Sequence, residues 1–237
     1  MPNHTQHRPY FNAGQLPLPG NAYVAWIDVM GVQSAMSRSL SIASNFIFKL
    51  HVAGLEAPHN QLRLYPVMDG IYVVSDRCGP LLAFIEHVFS AIADEFVSTP
   101  DNHHRFLIKG AVAFGPFVHG RDVPQAASDT LHLNANYRNA VLLGMSMIQS
   151  HLGERSAPPF GVFVHESARA FAAAGDQPFR QVWWEWFRQH HQALAQELRQ
   201  ELNDYFDWCA ARSGAILYDR DRIAAHRQMA EQYLVDA

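Results

Sequence analysis

The sequence predicts an α+β fold of order β-α-β-β-α-β, with added helices at the C-terminal end. Three observations carry that prediction. Short apolar runs rich in β-branched and aromatic residues alternate with stretches whose apolar spacing is helical. Two of the runs, QLRLYPVM and GIYVVS, meet tightly at Asp69–Gly70, which is a hairpin signal. Helical stretches fall after the first strand and again after the hairpin, the split βαβ, ferredoxin-like arrangement.

The elements follow in order. Residues 1–20 are polar and proline-rich, lack the apolar stretch of a signal peptide, and read as a flexible arm. AYVAWIDVMG (22–31) is a nearly continuous apolar run, as a central strand buried on both faces requires. From Ser34 to about Leu55 the spacing of Met36, Leu40, Ala43, Ile47 and Leu50 is helical. The hairpin comes next, and Pro66 puts its first strand at a sheet edge or a bulge, because proline cannot donate to a ladder. Gly79–Pro80 opens a helix over 81–97. HRFLIKGAVAF and FVHGRDV read as a strand pair joined at Gly115–Pro116, followed by a loop over 122–132 and a helix over roughly 134–152. GVFVHES (161–167) is a strand, and ARAFAAAG a short helix. Residues 180–212 form one long helical pattern in which Leu194, Leu198, Leu202 and Phe206 repeat every four residues, and a last helix covers 219–234. The division is an arm at 1–20, a catalytic domain at 21–175 and a C-terminal helical extension at 176–237, packed on the core or at a dimer contact.

Composition narrows the function. The chain has 237 residues, 49% hydrophobic and 17% charged, enough for a sizeable core. A net charge of −4 gives no basic footprint for nucleic acid. Two cysteines, Cys78 and Cys209, with no CxxC, argue against a disulfide framework or cysteine zinc site and point to a cytoplasmic setting. No apolar run reaches the roughly 18 residues of a membrane span. The 14 histidines are scattered, and the pairs His103–His104 and His190–His191 cannot both face one site in regular structure.

The chemistry concentrates in WIDVMG (26–31) and VMDGIYVVSD (67–76). Each sets one aspartate among strand-forming apolar residues, where a carboxylate has to be paired, hydrogen-bonded or metal-bound. Two such carboxylates, Asp28 and Asp69, are what a two-metal phosphoryl-transfer site needs. The competing structural reading makes Asp28 the cap of the helix at 34–55 and Asp69 a turn residue. Lys109 lies in an apolar strand and needs an acid or a phosphate.

These strings resemble motifs of the class III nucleotidyl cyclases. WIDVMG is similar to their first metal motif, VMDGIYVVSD to their second, and KGAVAFGPFVHG (109–120) to a third signature of basic residue, aliphatic strand, Gly-Pro and a closing glycine. The resemblance covers about residues 22–170 and is nearest to the compact pyrimidine cyclases of bacterial Pycsar antiphage systems. It implies a cyclase core that turns UTP or CTP into the 3′,5′-cyclic monophosphate and pyrophosphate. It further implies two divalent cations, Mn2+ or Mg2+, held by Asp28, Asp69 and the Val29 carbonyl, with Gly31 turning the chain toward the phosphates and Lys109 standing where the family often has arginine. The partners implied are the triphosphate, a second copy of the chain in a homodimer with shared sites, and a downstream cyclic-nucleotide receptor reached only through the product. LNANYRNA supplies Asn134 and Arg138 at the spacing of the family's transition-state pair, although the flanking residues match poorly; a helix cap and a solvated charge explain them as well. Tyr65 replaces the lysine that adenylate cyclases carry four residues before the second metal aspartate, which favours a pyrimidine base; equally, it is a core residue. The alternatives are a purine cyclase, a non-catalytic nucleotide-binding module on the same fold, and a different two-metal phosphodiesterase or nuclease.

Overall fold

The structure is a computed structural model and describes residues 9–235; the first part of the expected arm, residues 1–8, lies outside the described residues. The chain builds β1 (Gly20–Val29), α1 (Val32–Arg38), α2 (Leu40–Glu56), β2 (Arg63–Val67), β3 (Gly70–Ser75), α3 (Cys78–Ser98) and β4 (Ile108–His119). It continues through α4 (Asp129–Leu133), α5 (Ala135–Asn139), β5 (Leu142–Gly144), α6 (Met145–Gly153), β6 (Val162–Val164), α7 (Glu166–Ala170) and β7 (Trp183–Trp184). Three helices end it: α8 (Gln192–Ala211), α9 (Ser213–Ile216) and α10 (Arg220–Tyr233).

One sheet runs β2-β3-β1-β4-β6-β7, with β5 on the far end of β4. The pairs β2–β3, β3–β1 and β1–β4 are antiparallel and β4–β6 is parallel. The α+β class and the split βαβ order both hold. Pro66 sits exposed on β2, and β2 is the sheet edge, where a missing donor costs no ladder bond.

Side chains alternate across the sheet, so the continuous apolar run of β1 serves two layers. Tyr23, Ala25, Ile27 and Val29 face the larger core with residues of α2, α3 and α8, while Val24 and Trp26 face a smaller cluster with Tyr65, Tyr72 and Phe117. Helix α6 crosses that second face, and the His151 ring lies 5.4 Å from Trp26. Helix α8 docks through Leu198, Leu202 and Phe206, all buried, each contributing on the order of 1.5–3 kcal/mol of apolar burial.

Four expected elements come out differently. The first helix is two helices, broken at Ser39, whose extended backbone (φ −157°) lets its hydroxyl accept from the Ile42 amide and cap α2. Asp28 caps neither helix; the residue before α1 is Gly31. Gly115–Pro116 does not end a strand: β1 extends back to Gly20 and pairs Asn21 with Pro116, so β4 runs unbroken. The helix expected over 134–152 splits into α5, β5 and α6, because Leu142–Gly144 adds to the edge of β4 against Phe117–His119. The 180–212 pattern is helical only from Gln192; Trp183 and Trp184 form β7 on β6 instead.

Candidate active site

Adjacent strand ends gather the site. Asp28 lies one residue from the end of β1, with Gly70 of β3 opposite it on one side and Lys109 of β4 on the other. Asp69 occupies the turn just before Gly70. A Cβ on Gly70 would come within 2.4 Å of the Trp26 ring and 2.6 Å of the Ile27 carbonyl oxygen. Only glycine allows the hairpin to press this closely on β1, and that approach carries Asp69 alongside Asp28. After β1 the chain turns at Gly31 with φ +74°, a left-handed conformation, although open space surrounds the position. Glycine is needed there for its backbone and not for its size.

The carboxylates open into a pocket of about 720 Å³, lined also by Val29, the turn at Gly31–Ser34, Lys109, Glu154 and residues of the C-terminal helices. Asp28 Oδ1 is buried with no hydrogen-bond partner among the described residues. Burial pushes the Asp28 carboxyl up to about 7, with Asp69 and Glu154 adding repulsion; the Val29 amide and Lys109 only partly offset this. Burial also raises Glu154, against the pull of Lys109. A half-buried carboxylate with one oxygen left without a partner among the described residues, repelled by its acidic neighbours, is a group in need of a cation.

Lys109 is 4% exposed. Burial lowers its ammonium pKa, opposed by Glu154 and Asp28 and assisted by Arg222. Its partner is His226 of α10: Nζ donates to Nε2 at 3.2 Å, and His226 Nδ1 then donates to the Tyr218 hydroxyl oxygen at 2.5 Å. Burial, Lys109 and Arg222 bring His226 down to about 4, so the imidazole is neutral and can accept. The expected acid or phosphate beside Lys109 is, in this structure, a histidine 117 residues further along.

The described residues contain no cluster of three or more His, Cys, Asp or Glu side chains arranged to hold a metal ion. The donor set still fits a hard cation of the magnesium type, which takes one or two protein carboxylates and completes its shell with water and substrate phosphates. Asp28, with its open Oδ1, and Asp69 are the residues that would hold it.

Val29, Gly31 and Lys109 join the two aspartates in this pocket. Asn134, Arg138 and Tyr65 do not line it. Asn134 links α4 and α5 and donates from Nδ2 to the Thr130 carbonyl at 2.8 Å. Arg138 Nη1 lies 2.8 Å from His132 Nδ1, while its Nε is buried without a partner among the described residues. Asn134 (φ −105°, ψ 63°) is the N-cap of α5: its carbonyl accepts from the Arg138 amide at 2.9 Å, but the residue itself lies outside the helix. This segment packs on Gly120, just past the end of β4 at His119, which is about 33 Å from Lys109 at about 3.3 Å per strand residue. Tyr65 is buried in the smaller cluster, its hydroxyl 2.5 Å from His119 Nδ1. Glu154, Tyr218, Arg222 and His226 were not legible beforehand; the one signal was Lys109, a buried cation that had to have a partner somewhere.

No protein-family model matches the chain, and no curated protein matches it. Among solved structures, the guanylyl cyclase domain of the RhoGC fusion protein from the aquatic fungus Blastocladiella emersonii is similar with a TM-score of 0.49 and 13% identity, over 65% of this chain and 85% of that one. The guanylate cyclase domain of RhGC from Catenaria anguillulae, in complex with GTP, gives 0.48 and 12%, over 64% and 81%. The guanylyl cyclase Cya2 gives 0.48 and 12%, over 68% and 82%. At these scores the function of this chain has to be argued from its own residues.

Proposed function

We propose that the chain is a nucleotidyl cyclase that acts on a pyrimidine nucleoside triphosphate, UTP or CTP. The observation that carries this reading is half-buried Asp28, whose Oδ1 is buried with no partner among the described residues, lining one pocket with Asp69 and Lys109. In the proposed reaction the ribose 3′ oxygen attacks the α-phosphorus, the bond to the β-phosphate oxygen breaks, and pyrophosphate leaves. Asp28 and Asp69, with the Val29 carbonyl, would hold divalent cations. When bound, these supply acidification of the 3′-hydroxyl and neutralisation of phosphate charge. Gly31 turns the backbone so that Val32, Gln33 and Ser34 line the pocket, where their amides would donate to phosphate oxygens. Lys109 meets phosphate charge from the floor of the sheet, steadied by His226.

The rest of the reading draws on the motif resemblance. A transition-state arginine at Arg138, with Asn134, would serve a second copy of the chain in a homodimer with shared sites; their distance from Asp28 within one chain requires that arrangement. Tyr65 in place of the adenine lysine supports a pyrimidine over a purine base. Production of a second messenger for antiphage defence, read by a separate receptor, has the resemblance as its whole support. None of the described helices is long and apolar enough to cross a membrane.

The deciding experiment incubates the purified chain with each of the four ribonucleoside triphosphates and Mn2+ and identifies the products. Cyclic UMP or cyclic CMP is expected. Cyclic AMP or cyclic GMP alone would move the chain to the purine cyclases, and no cyclic product from any of the four would remove the enzymatic reading.

A further inference from the structure

We propose that the C-terminal helix α10 completes a diphosphate subsite in the pocket, with Arg222 as its anion-binding group beside Lys109. The identity of the ligand rests on the cyclase reading; the geometry stands apart from it.

The pocket has two chemically distinct walls. Asp28 and Asp69 form one, and the turn at Gly31–Ser34 leads from them to the other, where Tyr218, Arg222 and His226 face inward. Five Arg and Lys side chains line this space, in different states: Arg38 Nε donates to the Ser34 carbonyl at 3.3 Å, and Arg155 follows Glu154 in the chain. Arg105 is committed: it bonds Glu201 at 2.7 Å and the Thr99 carbonyl at 2.7 Å. Arg222 has no side-chain hydrogen bond or ion pair among the described residues, and Lys109 has only the neutral His226. Glu154 is close enough to interact electrostatically with both, yet forms an ion pair with neither.

Two positive side chains have therefore been brought together at the edge of a cavity with an imidazole for company. Both line one cavity and neither has an anionic partner among the described residues, so two like charges repel across it in the free protein. A polyanion reverses that repulsion into attraction to both. A guanidinium and an ammonium lining one pocket suit a ligand with several phosphate oxygens. A diphosphate has that charge density, whether as the outer phosphates of a nucleoside triphosphate or as free pyrophosphate. It is also the group that the proposed reaction expels. Arg222 is surface-accessible on the first turns of α10, so replacing it removes no core packing.

The test is isothermal titration of the full chain with magnesium pyrophosphate, alongside steady-state kinetics with each triphosphate that is turned over. Arg222→Gln is expected to weaken pyrophosphate binding at least tenfold. It should raise KM for every accepted triphosphate in parallel, leaving the ratio between bases unchanged. Arg220→Gln is the control, since Arg220 shares the helix and the charge but does not line the pocket; it should stay within twofold of wild type on both measures. Pyrophosphate affinity of Arg222→Gln within twofold of wild type would overturn the subsite. So would an equal loss in Arg220→Gln, which would show general surface charge, or no binding by the wild type. Pyrophosphate binding that depends on Arg222 in a protein that cyclises nothing keeps the subsite and removes the cyclase reading. Cyclisation with Arg222→Gln binding pyrophosphate normally does the reverse.

Discussion

The two ends of β4 hold two clusters of reactive side chains, and they differ in how their polar groups are satisfied. At the Lys109 end, Asp28 Oδ1 has no partner, Asp69 sits beside it, and Lys109 and Arg222 face the same cavity. At the His119 end, the Tyr65 hydroxyl is taken by His119, Asn134 by the Thr130 carbonyl, and Arg138 by His132. The first end is charged, partly buried and unfinished, the state of a site that awaits a ligand. The second is closed on itself within one chain, apart from the Arg138 Nε. A residue from that end reaches the first end only if a second copy brings it there.

The largest effect expected is at the unfinished end. Asp28→Ala and Asp69→Ala should each reduce cyclic nucleotide formation by more than tenfold, with the circular dichroism spectrum unchanged. Residual activity above about a tenth of wild type in either would remove the two-metal assignment.

The comparison of ends is tested directly by complementation. Arg138→Ala should be inactive alone, and mixing it with Asp28→Ala should restore activity, because a heterodimer then contains one intact shared site. Absence of recovery, with subunit exchange verified by mass, would confine the chemistry to one end of one chain.

Next in size is the hairpin that sets Asp69 beside Asp28. Gly70→Ala drives a methyl into the Trp26 ring and the Ile27 carbonyl, at a cost of about 1–3 kcal/mol as overpacking. Urea titration should show a lower midpoint, and activity should fall with it. An unchanged midpoint would mean that the hairpin shifts freely.

A smaller effect distinguishes the ends by pH. The Asp28 carboxyl is raised from 3.8 to about 7 by burial first and by Asp69 next, so the folded chain holds this proton more tightly than the unfolded chain. That contribution is complete below about pH 4 and is lost as the pH rises through about 7. Glu154 carries the same sign. His226 and His119, both lowered to about 4 chiefly by burial, act in the opposite direction over the same range, so the check is a difference: the melting temperature of the metal-free wild type relative to Asp28→Asn should fall from pH 5 to pH 8. An Asp28→Asn melting profile parallel to wild type would show that the strain lies elsewhere.

The smallest change expected is at Tyr65. Replacing it by alanine should narrow the preference for UTP or CTP over ATP in competition kinetics while leaving metal dependence intact. An unaltered preference would assign Tyr65 to packing with Trp26 and Tyr72 alone.

Much of this was legible in the sequence because it depends on neighbours in the chain. The run around Asp28, the Asp69–Gly70 turn and Pro66 on an edge strand are local patterns, and each appears where the pattern implies. The breaks at Ser39, within 134–152 and before Gln192 were not legible. At each of the three a competing local bond or an added strand pair outweighs an apolar spacing that a helix would also satisfy.

The sequence by itself determined the order of the β-α-β-β-α-β core and singled out two aspartates that an apolar strand setting makes costly. Only the tertiary structure decided that Lys109 meets His226 from a helix over a hundred residues away, that Arg222 shares its cavity, and that Asn134, Arg138 and Tyr65 stand apart from both. The physical reason is range. Backbone preference and alternation act over a few residues and are written in the local string. The partner of a buried charge is whatever the packing of distant elements brings within about 3 Å, and no local pattern encodes it.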